Sequence, residues 1–441
     1  MEQQLFLPEG QFLQSGVGLA HVALFASWET ALISARHEMR IPNGALAALE
    51  LDVRSHAMWI WSDAWNNDDI ASGGLDTLVS LGRGLVADVV KARTNLLTYR
   101  VTPHNLLIWL VSPAGKVWSV SEPLDADELT RMLNDFNEEL CLADADTTCL
   151  TRGGWAGKAT HVLSARLLPQ QLSPHLDPNR DLVIVPSGRL WNLPFAALQR
   201  SDMPIPLGAM FPIRYDNMPA GIRGSRVLQL GGQSLVVGPA PASAVTIFGS
   251  VRVFGPLTYA KSEADSVANL IGTPVLTNFA ANRDTLLARM ANARIIHFAT
   301  HAMSFSGLEA LSSFILLPQE ADGNRILTAN DVANGPFLNN ADLVVLSACQ
   351  TGLGEVTRTE GVLGMPVAFL SHGAAAVVYS LWAIDDSSSA ALIENFYVNL
   401  LSGSSKAQAL QSAQQAIRMN RTQHQYSKPY YWAAFSLMDG G

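Results

Sequence analysis

Two side chains capable of covalent chemistry follow directly after apolar segments of the sequence. The segment ARIIHFAT at 293–300 leads into His301, and ADLVVLSA at 341–348 leads into Cys349. A thiol with a pKa of about 8.5 is only slightly ionised at neutral pH. A neighbouring imidazole raises the thiolate fraction and can then protonate a leaving group. The two residues therefore have the chemistry of a nucleophile, Cys349, and its general base, His301.

The elements that must position this pair are short apolar runs without polar alternation, bounded by Gly, Pro, Asp or Asn. These predict strands at 181–186, 234–239, 293–300, 312–318, 341–349 and 374–382. Helical spacing between several of them predicts helices at 260–272, 283–293, 364–373, 388–401 and 404–419. The pattern predicts an α/β fold with a mostly parallel sheet covered by helices on both faces. Ligands bind beyond the carboxyl ends of parallel strands, so His301 and Cys349 converge there if their strands are neighbours.

The first part of the chain has a different pattern. Helical spacing at 18–36 and 75–93 predicts a mostly helical N-terminal region over 1–88, which we assign to partner or substrate recognition. The stretch 95–122 predicts strand, turn, strand, turn and strand, and 125–140 predicts a helix with acidic residues in its first turn.

Composition narrows the classes of partner. The net charge of −9 argues against nucleic acid as a direct ligand, because phosphate binding needs clustered Lys and Arg. The longest uncharged apolar run, 373–384, is far shorter than the roughly 20 residues that cross a bilayer. The N-terminus has no signal-peptide pattern. We therefore expect a cytoplasmic protein with neither a membrane nor a nucleic acid partner.

Each candidate also has a structural interpretation. Cys349 at the end of an apolar strand could simply be buried. Cys141 and Cys149 are interpreted as incidental thiols. His297 and His301 form an HxxxH pattern, but residues four apart in a strand lie ~13 Å from each other, so His297 is interpreted as a core histidine. Nucleotide-binding glycine motifs and Cys/His metal clusters are missing from the sequence, so we predict no cofactor and no metal.

A longer resemblance supports the pair. His301 precedes Cys349 by 48 residues, close to the separation of roughly 50 in caspases. The strings HFATHA, LTANDV, LVVLSACQTGLGEV, EGVLGMPVAFLSHGAAAVVYSLWAIDD and PYYWAAF resemble the CHAT domain, a family of the caspase, separase and gingipain clan. The resemblance covers about residues 90–441. It implies a caspase-like fold with a pseudo-caspase half at 89–240 and a catalytic half at 241–441.

The resemblance also implies residue roles. His301 matches the catalytic histidine and Cys349 the nucleophile of this family. The backbone N–H groups of Ala302 and Cys349 are candidates for the oxyanion hole, although the family usually has glycine where this chain has Ala302. The segment SLWAIDD resembles the separase segment whose acidic residue accepts an arginine at P1, the substrate residue before the cleaved bond. That match makes Asp386 the first candidate for the S1 subsite, which binds P1; Asp385 and Glu360 follow. The alternative for Asp386 is the N-cap of the following helix.

The resemblance implies a cysteine endopeptidase that cleaves a specific partner protein. Members of the family act in bacterial defence and regulated cell death, and some cleave a gasdermin-like pore-forming protein. The expected partners are such an effector substrate and an activating protein. The loop 352–361 is either a processing site at Arg358 or an ordinary flexible loop. The alternative for the whole chain is a non-catalytic caspase-like scaffold for protein interactions.

Overall fold

A computed structural model describes residues 75–102, 104–142, 157–216, 222–224, 227–228, 231–247, 250–277, 283–305, 307–318, 325–347, 364–382 and 386–439. The strands in these ranges are β1 (Asn95–Val101), β2 (Asn105–Val111), β3 (Val117–Pro123), β4 (Leu182–Val185), β5 (Ile213–Tyr215), β6 (Gln233–Val237), β7 (Ser243–Ile247), β8 (Ser250–Phe254), β9 (Val275–Leu276), β10 (Ala293–Ala299), β11 (Ala302–Met303), β12 (Phe314–Leu316), β13 (Ile326–Thr328), β14 (Leu343–Ser347), β15 (Ala376–Ser380) and β16 (Phe435–Asp439).

The α-helices in the same ranges are α1 (Leu75–Ala92), α2 (Ala126–Glu139), α3 (Lys158–Leu167), α4 (Leu207–Met210), α5 (Ala260–Ile271), α6 (Arg283–Met290), α7 (Ala329–Ala333), α8 (Met365–Ser371), α9 (Asp386–Leu401), α10 (Lys406–Arg418) and α11 (Pro429–Trp432). Short 3-10 helices lie at Ser173–His175, Gly188–Asn192, Phe195–Ala197, Gly307–Ser312 and His424–Ser427.

One large mixed sheet organises the protein. Its 11 strands lie in the order β3-β2-β1-β4-β5-β16-β15-β14-β10-β6-β9. The strands β9, β6, β10, β14 and β15 are parallel to one another. The strands β16, β5, β4 and β1 form a second parallel block, and it runs in the opposite direction because β16 pairs antiparallel with β15. The fold is therefore a mostly parallel α/β sheet flanked by helices, as the sequence predicts.

The block formed by β1, β4, β5 and β16 is covered on both faces because its strands are apolar on both sides. Leu96 belongs to a buried cluster that includes residues of α1, whereas its neighbour Leu97 belongs to the main core, which includes residues of α2 and α3. The side chain of Asp125 accepts a hydrogen bond from the N–H of Glu128 and so caps α2. Alternation of side chains along each strand thus sends successive apolar residues into two different cores.

The block formed by β9, β6, β10, β14 and β15 carries the strands that end near the predicted reactive residues. The strand β10 lies between β14 and β6, and all five residues of β14 are buried. The helices α9 and α5 pack side by side, and α10 packs against α9 and against the strands β16 and β5. Such burial on both faces is what the continuous apolar runs predict.

The structure confirms most predicted elements and changes one interpretation. The three-stranded unit at 95–122 and the helix at 125–140 form as β1, β2, β3 and α2. The strand β6 precedes residue 240 in the chain and pairs with β10, which follows it. Cys141 is disulfide-bonded, so its interpretation as an incidental thiol is wrong. Cys149 and the predicted helix at 18–36 lie outside the described residues. None of the described helices is long and apolar enough to cross a membrane.

A buried cation joins two neighbouring strands of the second parallel block, β5 and β16. The side chain of Arg214 in β5 is 1% exposed, and its Nη1 donates to Oδ2 of Asp439 in β16 at 3.1 Å. Its other terminal nitrogen, Nη2, donates to the carbonyl oxygen of Arg223. Removing one partner of a buried ion pair leaves the other charge without compensation, and this costs far more than losing a surface pair.

Replacing Asp439 with Asn is therefore expected to reduce the free energy of unfolding by about 3 kcal/mol, because Arg214 would remain buried beside a neutral amide. Urea unfolding followed by circular dichroism measures this change. The matched control is Asp265→Asn, which removes a carboxylate from an exposed pair with Lys261 and is expected to cost less than about 1 kcal/mol. An equal loss of unfolding free energy in the two variants would contradict the structural role of the pair between Arg214 and Asp439.

Candidate active site

The two strands that lead to the predicted reactive residues are direct neighbours. β10 and β14 are parallel, and their register ends on the pair Ala299 and Ser347. His301 lies two residues beyond Ala299, and Cys349 lies two residues beyond Ser347 in the sequence. Cys349 itself lies outside the described residues. The register ends both strands at the same edge of the sheet, each two residues before a predicted reactive residue in the sequence.

The His301 ring is held by a backbone carbonyl. Its Nε2 lies 2.7 Å from the carbonyl oxygen of Gly255. A carbonyl oxygen only accepts hydrogen bonds, so Nε2 carries the proton and Nδ1 of the neutral ring keeps its lone pair. The ring of Phe254 lies against the imidazole, with centroids 5.2 Å apart and planes at 50°. The carbonyl fixes the tautomer, and both neighbours limit rotation of the ring, which leaves Nδ1 as its hydrogen-bond acceptor.

The segment that supplies this carbonyl follows a hairpin that the sequence analysis missed. β7 and β8 pair antiparallel, and Phe254 at the end of β8 is 9% exposed and packs edge-on against Phe314 of β12. The signal was present as alternating apolar residues on either side of a Gly-Ser pair, at Val245 and Ile247 and at Val251 and Val253. A backbone carbonyl has no residue type of its own, so the sequence could not indicate the role of Gly255.

Residues next to His301 hold its backbone in place. Thr300 is fully buried, and its hydroxyl donates to the carbonyl oxygen of Leu316 and accepts from the N–H of Ala240. The N–H of Leu316 donates to the carbonyl oxygen of His301 at 2.8 Å. In an antiparallel ladder the next residue then points its N–H away from the partner strand. The N–H of Ala302 is thus directed away from β12, as a donor to an oxyanion would require.

The alanine at 302 fits its position without backbone strain. Among the described residues, the non-glycine residues with positive φ are Arg93 and Cys141. Ala302 therefore has an ordinary backbone conformation at the start of β11, and glycine is not needed there for conformational reasons. Its side chain is 7% exposed and belongs to the main core.

His297 lies in the core, as its interpretation from the sequence predicts. Its side chain is fully buried, with Nδ1 3.3 Å from the hydroxyl of Tyr397 and Nε2 3.2 Å from Oε1 of Glu263. The contact with Glu263 is close, but it is not aligned as a hydrogen bond. Burial, and secondarily the Glu263 carboxylate, raise the pKa of the Tyr397 hydroxyl well above its ordinary value. His297, Glu263 and Tyr397 thus connect β10, α5 and α9 behind the strand that leads to His301.

The candidate S1 residues are only partly described. Asp385 and Glu360 lie outside the described residues. Asp386 is half-buried and is the first residue of α9. Its Oδ2 accepts a hydrogen bond from the N–H of Tyr259 at 2.7 Å. Tyr259 precedes α5 and lies four positions after Gly255. Asp386 is therefore hydrogen-bonded to the same short segment whose carbonyl contacts His301.

A parallel sheet with helices on both faces and a histidine just beyond one central strand defines a caspase-like α/β protein. Separase from Saccharomyces cerevisiae, solved in complex with securin, has this fold: the TM-score is 0.54 at 11% identity, over 90% of this chain and 34% of that chain. The pro- and mature domains of RgpB from Porphyromonas gingivalis match with a TM-score of 0.39 at 12% identity, over 70% of this chain and 76% of that chain.

The CHAT domain family model matches residues 158–440, and the chain belongs to this family. Tetratricopeptide repeat protein 28 from Homo sapiens is 26% identical over 306 residues, which is 59% of this chain and 12% of that protein. The protein of the same name from Mus musculus is 26% identical over 314 residues, with the same coverage. The chain thus spans only a small part of these relatives.

The buried tyrosine behind β10 makes stability sensitive to alkaline pH. A raised folded-state pKa contributes stability that is present below the unfolded pKa of about 10 and is lost as the pH rises through the folded value. Tyr397→Phe is expected to cost about 1 kcal/mol at pH 7, because it removes the hydrogen bond to His297. It should also flatten the fall in stability above pH 10. Urea unfolding at pH 7 and pH 10.5 tests both effects, and an unchanged alkaline slope would contradict the assignment.

Proposed function

We propose that this chain is a cysteine endopeptidase with Cys349 as nucleophile and His301 as general base. The observation that carries the proposal is the register of β10 and β14. The two strands end together on Ala299 and Ser347, at one edge of the sheet. The hydrogen bond from Nε2 of His301 to Gly255 supports it, because that bond leaves Nδ1 free to accept a proton. Membership of the CHAT family agrees with the same pair.

The proposed reaction is acyl transfer through the sulfur. Nδ1 of His301 takes the thiol proton of Cys349, and the thiolate attacks the carbonyl carbon of the cleaved peptide bond. The N–H groups of Ala302 and Cys349 donate to the oxyanion that forms. The His301 imidazolium returns its proton to the amine as the C–N bond breaks, which leaves a thioester on Cys349. Water, deprotonated by His301, then hydrolyses the thioester and restores the thiol.

The proposed substrate is a partner protein cut at a defined site. Asp386 remains the candidate that selects a cationic P1 side chain, because carboxylates form strong charge-assisted hydrogen bonds with Arg and Lys. An effector such as a gasdermin-like pore-forming protein, recognised in a cytoplasmic setting and with help from an activating protein, remains the predicted target. The domain division at residues 88 and 240 also remains a prediction.

Replacing His301 with Gln is expected to slow alkylation of Cys349 by iodoacetamide at pH 6.5 by about tenfold or more, because the thiol would return to its ordinary pKa. The rate is measured by mass spectrometry of the Cys349 peptide across a pH series. The matched control is His372→Gln, since Nε2 of His372 makes the same type of bond, at 2.7 Å, to the carbonyl oxygen of Gly335. An unchanged rate in the His301 variant would refute the dyad and favour a non-catalytic scaffold.

Peptide chloromethylketones test the P1 preference. Peptidyl-arginine and peptidyl-lysine probes are expected to label Cys349 about tenfold faster than the matched peptidyl-leucine probe, because an S1 carboxylate would pair with the cationic side chain. Labelling rates from intact-mass measurements, with the Cys349→Ala variant as the blank, decide the matter. Equal rates for the three probes would remove the acidic S1 subsite while leaving the dyad untouched.

A further inference from the structure

We propose that Asp386 is a positioning residue for His301, acting through residues 255–259, which we call the tether. This inference rests on the proposed function, since it concerns the orientation of the proposed base. The two ends of the tether are held by two hydrogen bonds. Gly255 accepts from Nε2 of His301 at 2.7 Å, and Tyr259 donates its N–H to Oδ2 of Asp386 at 2.7 Å.

Burial alone does little to hold the tether in place. Gly255, Pro256, Thr258 and Tyr259 are exposed, and only Leu257 is half-buried against the main core. A segment with few buried apolar contacts has low local stability, so hydrogen bonds at its ends decide its position. The tether is also short, because four residue steps span at most ~14 Å. A shift at the Tyr259 end therefore displaces the carbonyl at the Gly255 end.

The hydrogen bond at Tyr259 joins two different helices, because Tyr259 precedes α5 and Asp386 begins α9. Tyr259 is the N-cap of α5, and its side chain makes no capping hydrogen bond. Its carbonyl oxygen accepts from the N–H of Glu263 and from the hydroxyl of Ser262, so the tether runs directly into the first turn of α5. The Asp386 carboxylate accepts the N–H of Tyr259 at the positive end of this helix, a favourable place for a negative charge.

Asp386 itself stands on a rigid support. It is the first residue of α9, whose side chains Leu392, Ile393, Phe396 and Tyr397 are fully buried. Fully buried side chains in a packed core have little freedom to shift, so the carboxylate is fixed with respect to the sheet. The hydrogen bond therefore fixes the tether relative to α9, and the tether in turn fixes the orientation of the His301 ring.

The same carboxylate can serve recognition as well. Only Oδ2 of Asp386 is used by Tyr259, and Oδ1 has no hydrogen-bond partner within the described ranges. A carboxylate accepts several hydrogen bonds through its two oxygens. A cationic P1 side chain could then bind Oδ1 of the same carboxylate whose Oδ2 holds the tether in place. Orientation of His301 depends on the acceptor oxygen, whereas P1 selection depends on the charge, so two substitutions separate these roles.

The test compares Asp386→Ala, which removes the acceptor, with Asp386→Asn, which keeps an acceptor oxygen and removes the charge. Asp265→Asn, on the exposed face of α5, is the control for charge and folding. Long-range 1H–15N spectra of histidine-labelled protein report the His301 tautomer without any reaction, and iodoacetamide alkylation of Cys349 across pH reports the base. The His301 signals are assigned with His301→Gln.

The alanine variant is expected to lose the single Nε2–H tautomer of His301 and to slow alkylation on the order of tenfold, the loss of about one charge-assisted hydrogen bond. The asparagine variant should restore both properties, and Asp265→Asn should match the parent chain. A parent-like tautomer in Asp386→Ala, or equal loss in both Asp386 variants, would overturn the positioning role. If Cys349 of the parent chain shows no His301-dependent alkylation, the protease proposal fails, and the tautomer measurement still decides this one.

Discussion

The parallel pairing of β10 with β14 is the constraint on which the site depends. Because the side-chain period of a strand is two, a shift of one residue in this register would turn every side chain of β14 to the opposite face. All five residues of β14 are buried between two layers of side chains, so such a shift would disrupt the core as well as the site. The same apolar packing that stabilises the sheet therefore sets the relative positions of Ala299 and Ser347, where the two strands end.

Beyond the end of β10, polar contacts hold the residues in place where apolar packing does not. Thr300 fixes the turn beyond β10, Gly255 fixes the His301 ring, and Asp386 fixes the segment that carries Gly255. Behind the strand, His297 joins α5 and α9 through Glu263 and Tyr397. Neighbouring elements thus contact the segment around His301 through a few directed hydrogen bonds. Hydrogen bonds have preferred angles as well as distances, which suits them to orient the His301 ring.

Much of this architecture follows from the sequence because continuous apolar runs leave few alternatives to buried parallel strands. The runs at 293–300 and 341–349 became β10 and β14, and His297 proved to be a core residue. The β7–β8 hairpin was missed because its half-exposed strands lack such runs. The role of the Gly255 carbonyl was out of reach, since a main-chain oxygen is common to every residue. The contact between Asp386 and Tyr259 joins residues 127 positions apart, and no local pattern encodes it.

The junction of β15 with β16 has a consequence for how the sheet assembles. The two blocks run in opposite directions and meet where β15 pairs antiparallel with β16, as two copies of a half-sheet would meet across a dimer interface. Here both blocks belong to one polypeptide, so their meeting is a unimolecular step with a fixed effective concentration. Diluting the protein does not separate the halves. The pairing of β15 with β16 is therefore independent of the protein concentration.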